Sequence, residues 1–136
     1  MNDFFVFDTN SLISAALIST STNRKALEKA ISLGSIAIAP NTLDELLDVI
    51  FRQKLDKYFR DINERLAIVN ILEANAVLFS PEISITECRN KKDNKFLELA
   101  ITANARCIIS GDTDLLVLHP FRNIPILNAV DFLSKY

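Results

Sequence analysis

Five short apolar runs punctuate this chain, and the segments between them mostly repeat their apolar residues at helical spacing. That alternation is the tightest constraint on its fold, because strands separated by helical crossovers assemble into an α/β structure with a mostly parallel sheet. The runs are Phe4 to Phe7, Ile36 to Ile38, Ala76 to Phe79, Cys107 to Ser110 and Ile124 to Leu127. Phe4-Phe5-Val6-Phe7 is apolar without a break, the pattern of a central strand covered on both faces. Pro40, Pro81 and Pro125 fall at the edges of runs, where a missing N–H costs least. Leu43, Leu46, Leu47 and Ile50 mark one face of a helix, and Phe96, Leu97, Ala100 and Ile101 mark another. Further helices are expected over Asn23 to Leu33, Ile62 to Glu73 and Val130 to Tyr136. Segment 82–92 holds no sustained period and reads as a loop.

With 136 residues, one domain is expected and a second has no room. Apolar residues make up 49% and glycine occurs only twice, which excludes disordered, collagen-like and linker-rich classes. Met-Asn-Asp precedes Phe4 without a basic leader, and no segment approaches about eighteen uncharged apolar residues. The expectation is a cytoplasmic protein with no membrane span. Cys88 and Cys107 lack C-x-x-C spacing, and in such a chain they read as reduced thiols rather than a disulfide or a zinc site. The net charge of −2 offers no bulk steering toward nucleic acid, so any such partner must be held by a local basic patch or through bound cations.

In parallel α/β sheets ligands bind beyond the carboxyl ends of the strands, and there this chain is acidic. Phe4-Phe5-Val6-Phe7 delivers Asp8-Thr9-Asn10, and Cys107-Ile108-Ile109-Ser110 delivers Gly111-Asp112-Thr113-Asp114. Glu45 lies near the start of its helix and Asp93 immediately before another. A helix that follows a strand begins where that strand ends, so four carboxylates are expected on one edge. Like charges at close range cannot all ionise without a compensating cation. An all-carboxylate site suits hard Mg2+ or Mn2+ rather than zinc, and such an ion activates water for attack on a phosphodiester, with a second ion, where one is present, about 4 Å away stabilising the leaving oxygen. Each acid also has a plainer reading. Asp8 with Asn10, and Asp112 with Asp114 after Gly111, could form turns. Asp93 with Asn94 could cap a helix, and Glu45 could simply answer the helix dipole.

The ordered set Asp8-Thr9-Asn10, Leu43-Asp44-Glu45-Leu46-Leu47, Asp93-Asn94-Lys95-Phe96-Leu97-Glu98-Leu99-Ala100 and Ser110-Gly111-Asp112-Thr113-Asp114-Leu115-Leu116 resembles the PIN-domain ribonucleases over nearly the whole chain. The likeness is nearest to small prokaryotic VapC-like toxins of type II toxin–antitoxin pairs. It implies a doubly wound α/β fold with strand order 3-2-1-4-5, which would set Asp8 and Asp112 facing each other. It also implies an Mg2+- or Mn2+-dependent endoribonuclease acting on RNA, a homodimer, and inhibition by an antitoxin protein. Carried over by position, Asp8, Glu45, Asp93 and Asp112 are the metal-binding and catalytic acids. Asp114 is an additional acid, and Asn10 supports the first aspartate. The resemblance departs at Asn90, where the family often carries an acid.

Arg89, Lys91, Lys92 and Lys95 form the densest basic cluster and flank Asp93, where cations could hold phosphates on either side of a cleaved bond, although a charge run is also an ordinary solvated loop. Lys54, Lys57 and Arg60 read as an amphipathic helix end. Ser110 could orient a carboxylate or a phosphate, or be an ordinary strand-end hydroxyl. His119, the only histidine, reads as a loop or packing residue. A PIN-like module that binds RNA or a partner protein without efficient turnover is the alternative. A phosphatase or phosphoacceptor role for Asp8 is disfavoured, because Asp8-Thr9-Asn10 lacks the second acid of the one and no lysine-bearing strand end completes the other.

Overall fold

A computed structural model describes residues 3–136. Five parallel strands, β1 (Asp3–Phe7), β2 (Gly34–Ile38), β3 (Ala76–Leu78), β4 (Cys107–Ile109) and β5 (Ile126–Leu127), lie in the order β3-β2-β1-β4-β5. The helices are α1 (Thr9–Leu17), α2 (Thr22–Leu33), α3 (Pro40–Ile50), α4 (Ile62–Arg65), α5 (Ala67–Asn75), α6 (Asn94–Ala103), α7 (Thr113–Leu116) and α8 (Ala129–Lys135). Short 3-10 turns cover Gln53–Tyr58 and Lys91–Asp93. The expected sheet and strand order are those observed, each apolar run matching a strand with ends displaced by a residue or two. Pairing of Phe5 with both Ile36 and Cys107 sets β1 at the centre.

The unbroken apolar run of β1 follows from its burial on two sides. Phe5 and Phe7 face a core built with α1, α2, α3, α5 and α8. Val6 points the other way, into a core supplied by α6 and by loop residues Ile85, Cys88 and Phe121. Two departures from the expected helices have physical causes. Thr9–Leu17, to which no helix was assigned, is helical; it buries Thr9, Ser11, Leu12, Ile13 and Ala15, so no clean polar stripe remains in its sequence. The helix expected over Ile62 to Glu73 breaks at Leu66, where the Arg65 guanidinium donates to the Ile50 carbonyl at 2.8 Å and pairs with Asp56. Segment 82–92 is irregular up to the turn at Lys91, as expected. Cys88 and Cys107 are free and buried; burial pushes the first thiol up and the second up to about 12, so neither is an active nucleophile.

Candidate active site

Asp8 follows β1 directly, and its backbone N–H donates to the Ile109 carbonyl at the end of β4, at 3.1 Å. The residue is buried. Its Oδ1 accepts the Ser11 N–H at 2.8 Å and starts α1, while Oδ2 accepts the Ser110 hydroxyl. Ser110, also buried, accepts the Asp112 N–H on the same Oγ at 3.0 Å. One hydroxyl thus ties the acid after β1 to the acid after β4. Asp112 in turn caps α7, its Oδ1 accepting the Asp114 N–H at 2.9 Å. Helix-starting and site-forming roles coexist in these two aspartates, since one carboxylate oxygen suffices for the cap.

The other two acids come from helices. Asn90 accepts the Lys92 N–H at 3.2 Å and shapes the 3-10 turn that delivers Asp93. Buried Asn94 accepts the Cys88 N–H at 2.8 Å, pinning the preceding loop to the start of α6. Asp93 occupies the N-cap position of α6, yet its carboxylate makes no capping bond, and its Oδ2 is buried without a hydrogen-bond partner. The α3 start is locked by the Thr42 hydroxyl, which accepts the Ala39 N–H and donates to the Ala39 carbonyl, each at 3.0 Å. Glu45 sits in the second turn beyond it, paired with the Lys95 ammonium of α6. Lys95 also donates to the Lys92 carbonyl at 2.7 Å.

The carboxylates act on one another. Burial first, then the neighbouring Asp112 carboxyl, then the charges of Asp8 and Glu45, push Asp93 up to about 7. Burial likewise raises Asp8, opposed by the Ser110 and Ser11 hydrogen bonds. A buried carboxylate oxygen with no partner, inside a group of mutually repelling acids, is a poor arrangement for a bare chain and a good one for an oxygen-seeking cation. The donors are all hard oxygens, as Mg2+ or Mn2+ requires. As they stand, no three His, Cys, Asp or Glu side chains among the described residues are arranged to hold an ion; the Glu45 carboxylate is engaged by Lys95 instead.

The remaining sequence candidates divide. Arg89, Lys91 and Lys92 are exposed on the loop before Asp93, whereas Lys95 is half-buried and turned onto Glu45. Asn10 is exposed and lines a neighbouring cleft, the bonds to Asp8 coming from Ser11 and Ser110. Asp114 contributes its N–H to Asp112. His119 Nδ1 accepts the Ile126 N–H at 2.9 Å and so positions β5, a structural duty. Lys54 and Lys57 lie on the exposed 3-10 turn and Arg60 just beyond it. Sequence reasoning missed Thr42, whose place three residues after Ala39 at a helix start was the available signal. It also missed the Lys95–Glu45 pair, which joins helices fifty residues apart and leaves no local pattern.

Five parallel strands in this order, with acids gathered beyond their carboxyl ends, define an α/β domain built around an acidic site. The chain belongs to the PIN domain family, whose model matches residues 5–114, a span that contains all four acids. An uncharacterised protein of Methanocaldococcus jannaschii, MJ1680, is 33% identical over 118 residues, covering 83% of this chain and 73% of its own length. Among solved structures, VapBC2 from Rickettsia felis, bound to a DNA fragment from their promoter, matches with a TM-score of 0.61 at 14% identity, covering 92% of this chain and 98% of that one. PAE2754 from Pyrobaculum aerophilum matches with a TM-score of 0.57 at 11% identity, covering 98% and 88%. At those identities the two structures share the fold with this chain.

Proposed function

We propose that this protein is a single-domain, cytoplasmic, metal-dependent endoribonuclease that hydrolyses RNA phosphodiester bonds, and that it is the VapC-like toxin of a type II toxin–antitoxin pair. The observation that carries the reading is Asp93, which keeps a buried oxygen without a partner while the charges of Asp112, Asp8 and Glu45 act on it. When bound, Mg2+ or Mn2+ supplies positive charge for the developing phosphate oxygens and activates water for attack. The chain supplies the rest. Ser110 and the Ser11 N–H fix the Asp8 carboxylate so that it needs no reorganisation. Asp93 and Asp112 offer oxygens beside it, and Glu45 closes the group from α3. Arg89, Lys91 and Lys92 stand exposed where an RNA backbone approaching Asp93 would meet them, and phosphate contacts of this kind fix register without reading sequence. Lys95 balances Glu45. No helix among the described residues is long and apolar enough to cross a membrane. Homodimerisation and capture by an antitoxin protein complete the reading, supported by family membership and by the fold shared with VapBC2.

The test is cleavage of a mixed RNA substrate with and without Mn2+. Wild type cuts with the ion and stops in excess chelator; Asp8→Ala and Asp112→Asn lose cleavage while keeping the far-ultraviolet circular dichroism of the folded chain. Equal activity in both variants and in chelator rules the proposal out. The engagement of Glu45 by Lys95 favours one second reading, a PIN module that binds RNA or a partner protein with little turnover. RNA binding without cleavage in Mn2+ supports that reading.

A further inference from the structure

A cleft of about 450 Å3 opens beside Asp112, between the first turns of α1, α2 and α8, within the size range of small-molecule sites, about 300–1,000 Å3. Its polar lining is unlike the acidic site it adjoins. Asn10, Ser14, Asn23 and Asn128 contribute neutral amides and a hydroxyl, and Ala129 and Val130 contribute apolar surface. Among the described residues no lysine or arginine lines it, and Asp112 is the one charged side chain on its wall. The Asn128 Oδ1 accepts the Asp131 N–H at 2.8 Å, which leaves its NH2 as a fixed donor. Asn23 is half-buried and Asn10 exposed, so both can offer a donor and an acceptor to a bound molecule. Gly111 stands beside Asp112 on the cleft wall, and a Cβ there would meet nothing within 4 Å.

A phosphate would find no cation here and would face the Asp112 carboxylate. A nucleobase is the better match: it is uncharged, its edge alternates donors and acceptors that amides complement, and its face packs on small apolar groups. Single-stranded RNA is read in this way, by unstacked bases hydrogen-bonded on their edges. We propose that this cleft is a base-recognition subsite for the nucleotide next to the cleaved bond, with Asn10, Asn23 and Asn128 setting base preference. The inference rests on the nuclease reading for its geometry, the ribose-phosphate passing over Gly111 while the base turns into the cleft. Sequence preference then comes from α1, α2 and α8, and backbone grip from the loop on the far side of Asp93.

The probes are short ribo-oligonucleotides of each single base and an abasic strand of equal length, titrated into the 15N-labelled full chain without divalent ions. Expected are shifts of the Asn10, Asn23 and Asn128 side-chain amide signals with one or two of the base-bearing strands and none with the abasic strand. Asn23→Leu should weaken the preferred strand about ten-fold, and Asn23→Gln, which keeps the amide, should retain part of that affinity. Equal response to the abasic strand, or cleft signals silent with every strand, overturns the assignment. Cleavage of the same strands in Mn2+ separates the two proposals. Base-dependent cleft shifts without turnover keep the subsite and sink the nuclease, whereas turnover with an unresponsive cleft does the reverse.

Discussion

Asp93 concentrates the cost of assembling four acids. Its carboxyl is held up to about 7, by burial first and then by Asp112, whereas the unfolded chain gives up that proton near pH 4. Between those values the folded state binds more protons than the unfolded state, so stability falls as pH rises. Below about pH 4 both states are protonated and the effect vanishes. Raised Asp8 works in the same direction. The melting temperature of the metal-free protein is expected to drop between pH 5 and pH 8. Asp93→Asn should flatten that slope and raise the melting temperature at pH 8. A variant that keeps the wild-type slope would show that the acids do not repel one another as their placement demands. Much at this scale was legible beforehand. Asp8 and Asp112 follow apolar runs, and strand ends are where ligands sit. What could not be read was how their oxygens are spent: Ser110 bridging both, Asp93 released from capping, Lys95 crossing from α6 to α3. Those depend on pairs far apart in the chain.

The elements were legible to the degree that their burial is one-sided or complete. Strands covered on both faces announce themselves as apolar runs, and α3 and α6 show a regular stripe because each presents a single face to the sheet. Helix α1 is enclosed by α2, α3 and α5 as well as by the sheet, and its sequence therefore lacks the polar stripe that identifies a helix. The break at Leu66 is set by Arg65 reaching the end of α3, a contact invisible to any local window. Gly34 illustrates a further limit. Its φ of −177° is ordinary extended backbone, so conformational freedom does not explain it. A Cβ at this position would instead stand 2.0 Å from the Asp3 carbonyl oxygen, across the register that pairs Asp3 with Gly34. Gly34→Ala must push β1 and β2 apart where they first meet, and overpacking of this kind costs about 1–3 kcal/mol. Urea unfolding should show the loss as a lower midpoint at unchanged slope. A midpoint equal to wild type would mean that the strands part without cost.

At the scale of the molecule, the acidic site joins segments that have no reason to stay together in an unfolded chain. Asp8 comes from the end of β1, Glu45 from α3, Asp93 from the start of α6 and Asp112 from beyond β4. On the proposed function, a cation held among these acids would find its site in the native state alone, so its binding energy would add to folding stability by mass action. At a free Mn2+ concentration of about one hundred times its dissociation constant the gain is about 2.7 kcal/mol, which for a chain of this size raises the melting temperature by on the order of 10 °C. Such an ion would also relieve the repulsion at Asp93 and flatten the pH slope, so the gain should be larger at pH 8 than at pH 5. Asp112→Asn should lose most of the Mn2+ response. Glu64→Gln, at a half-buried acid of α4 engaged with Arg60, should keep all of it. Should Asp112→Asn respond to Mn2+ as wild type does, the ion is binding elsewhere, and convergence of the four carboxylates would belong to the architecture of the fold and not to its chemistry.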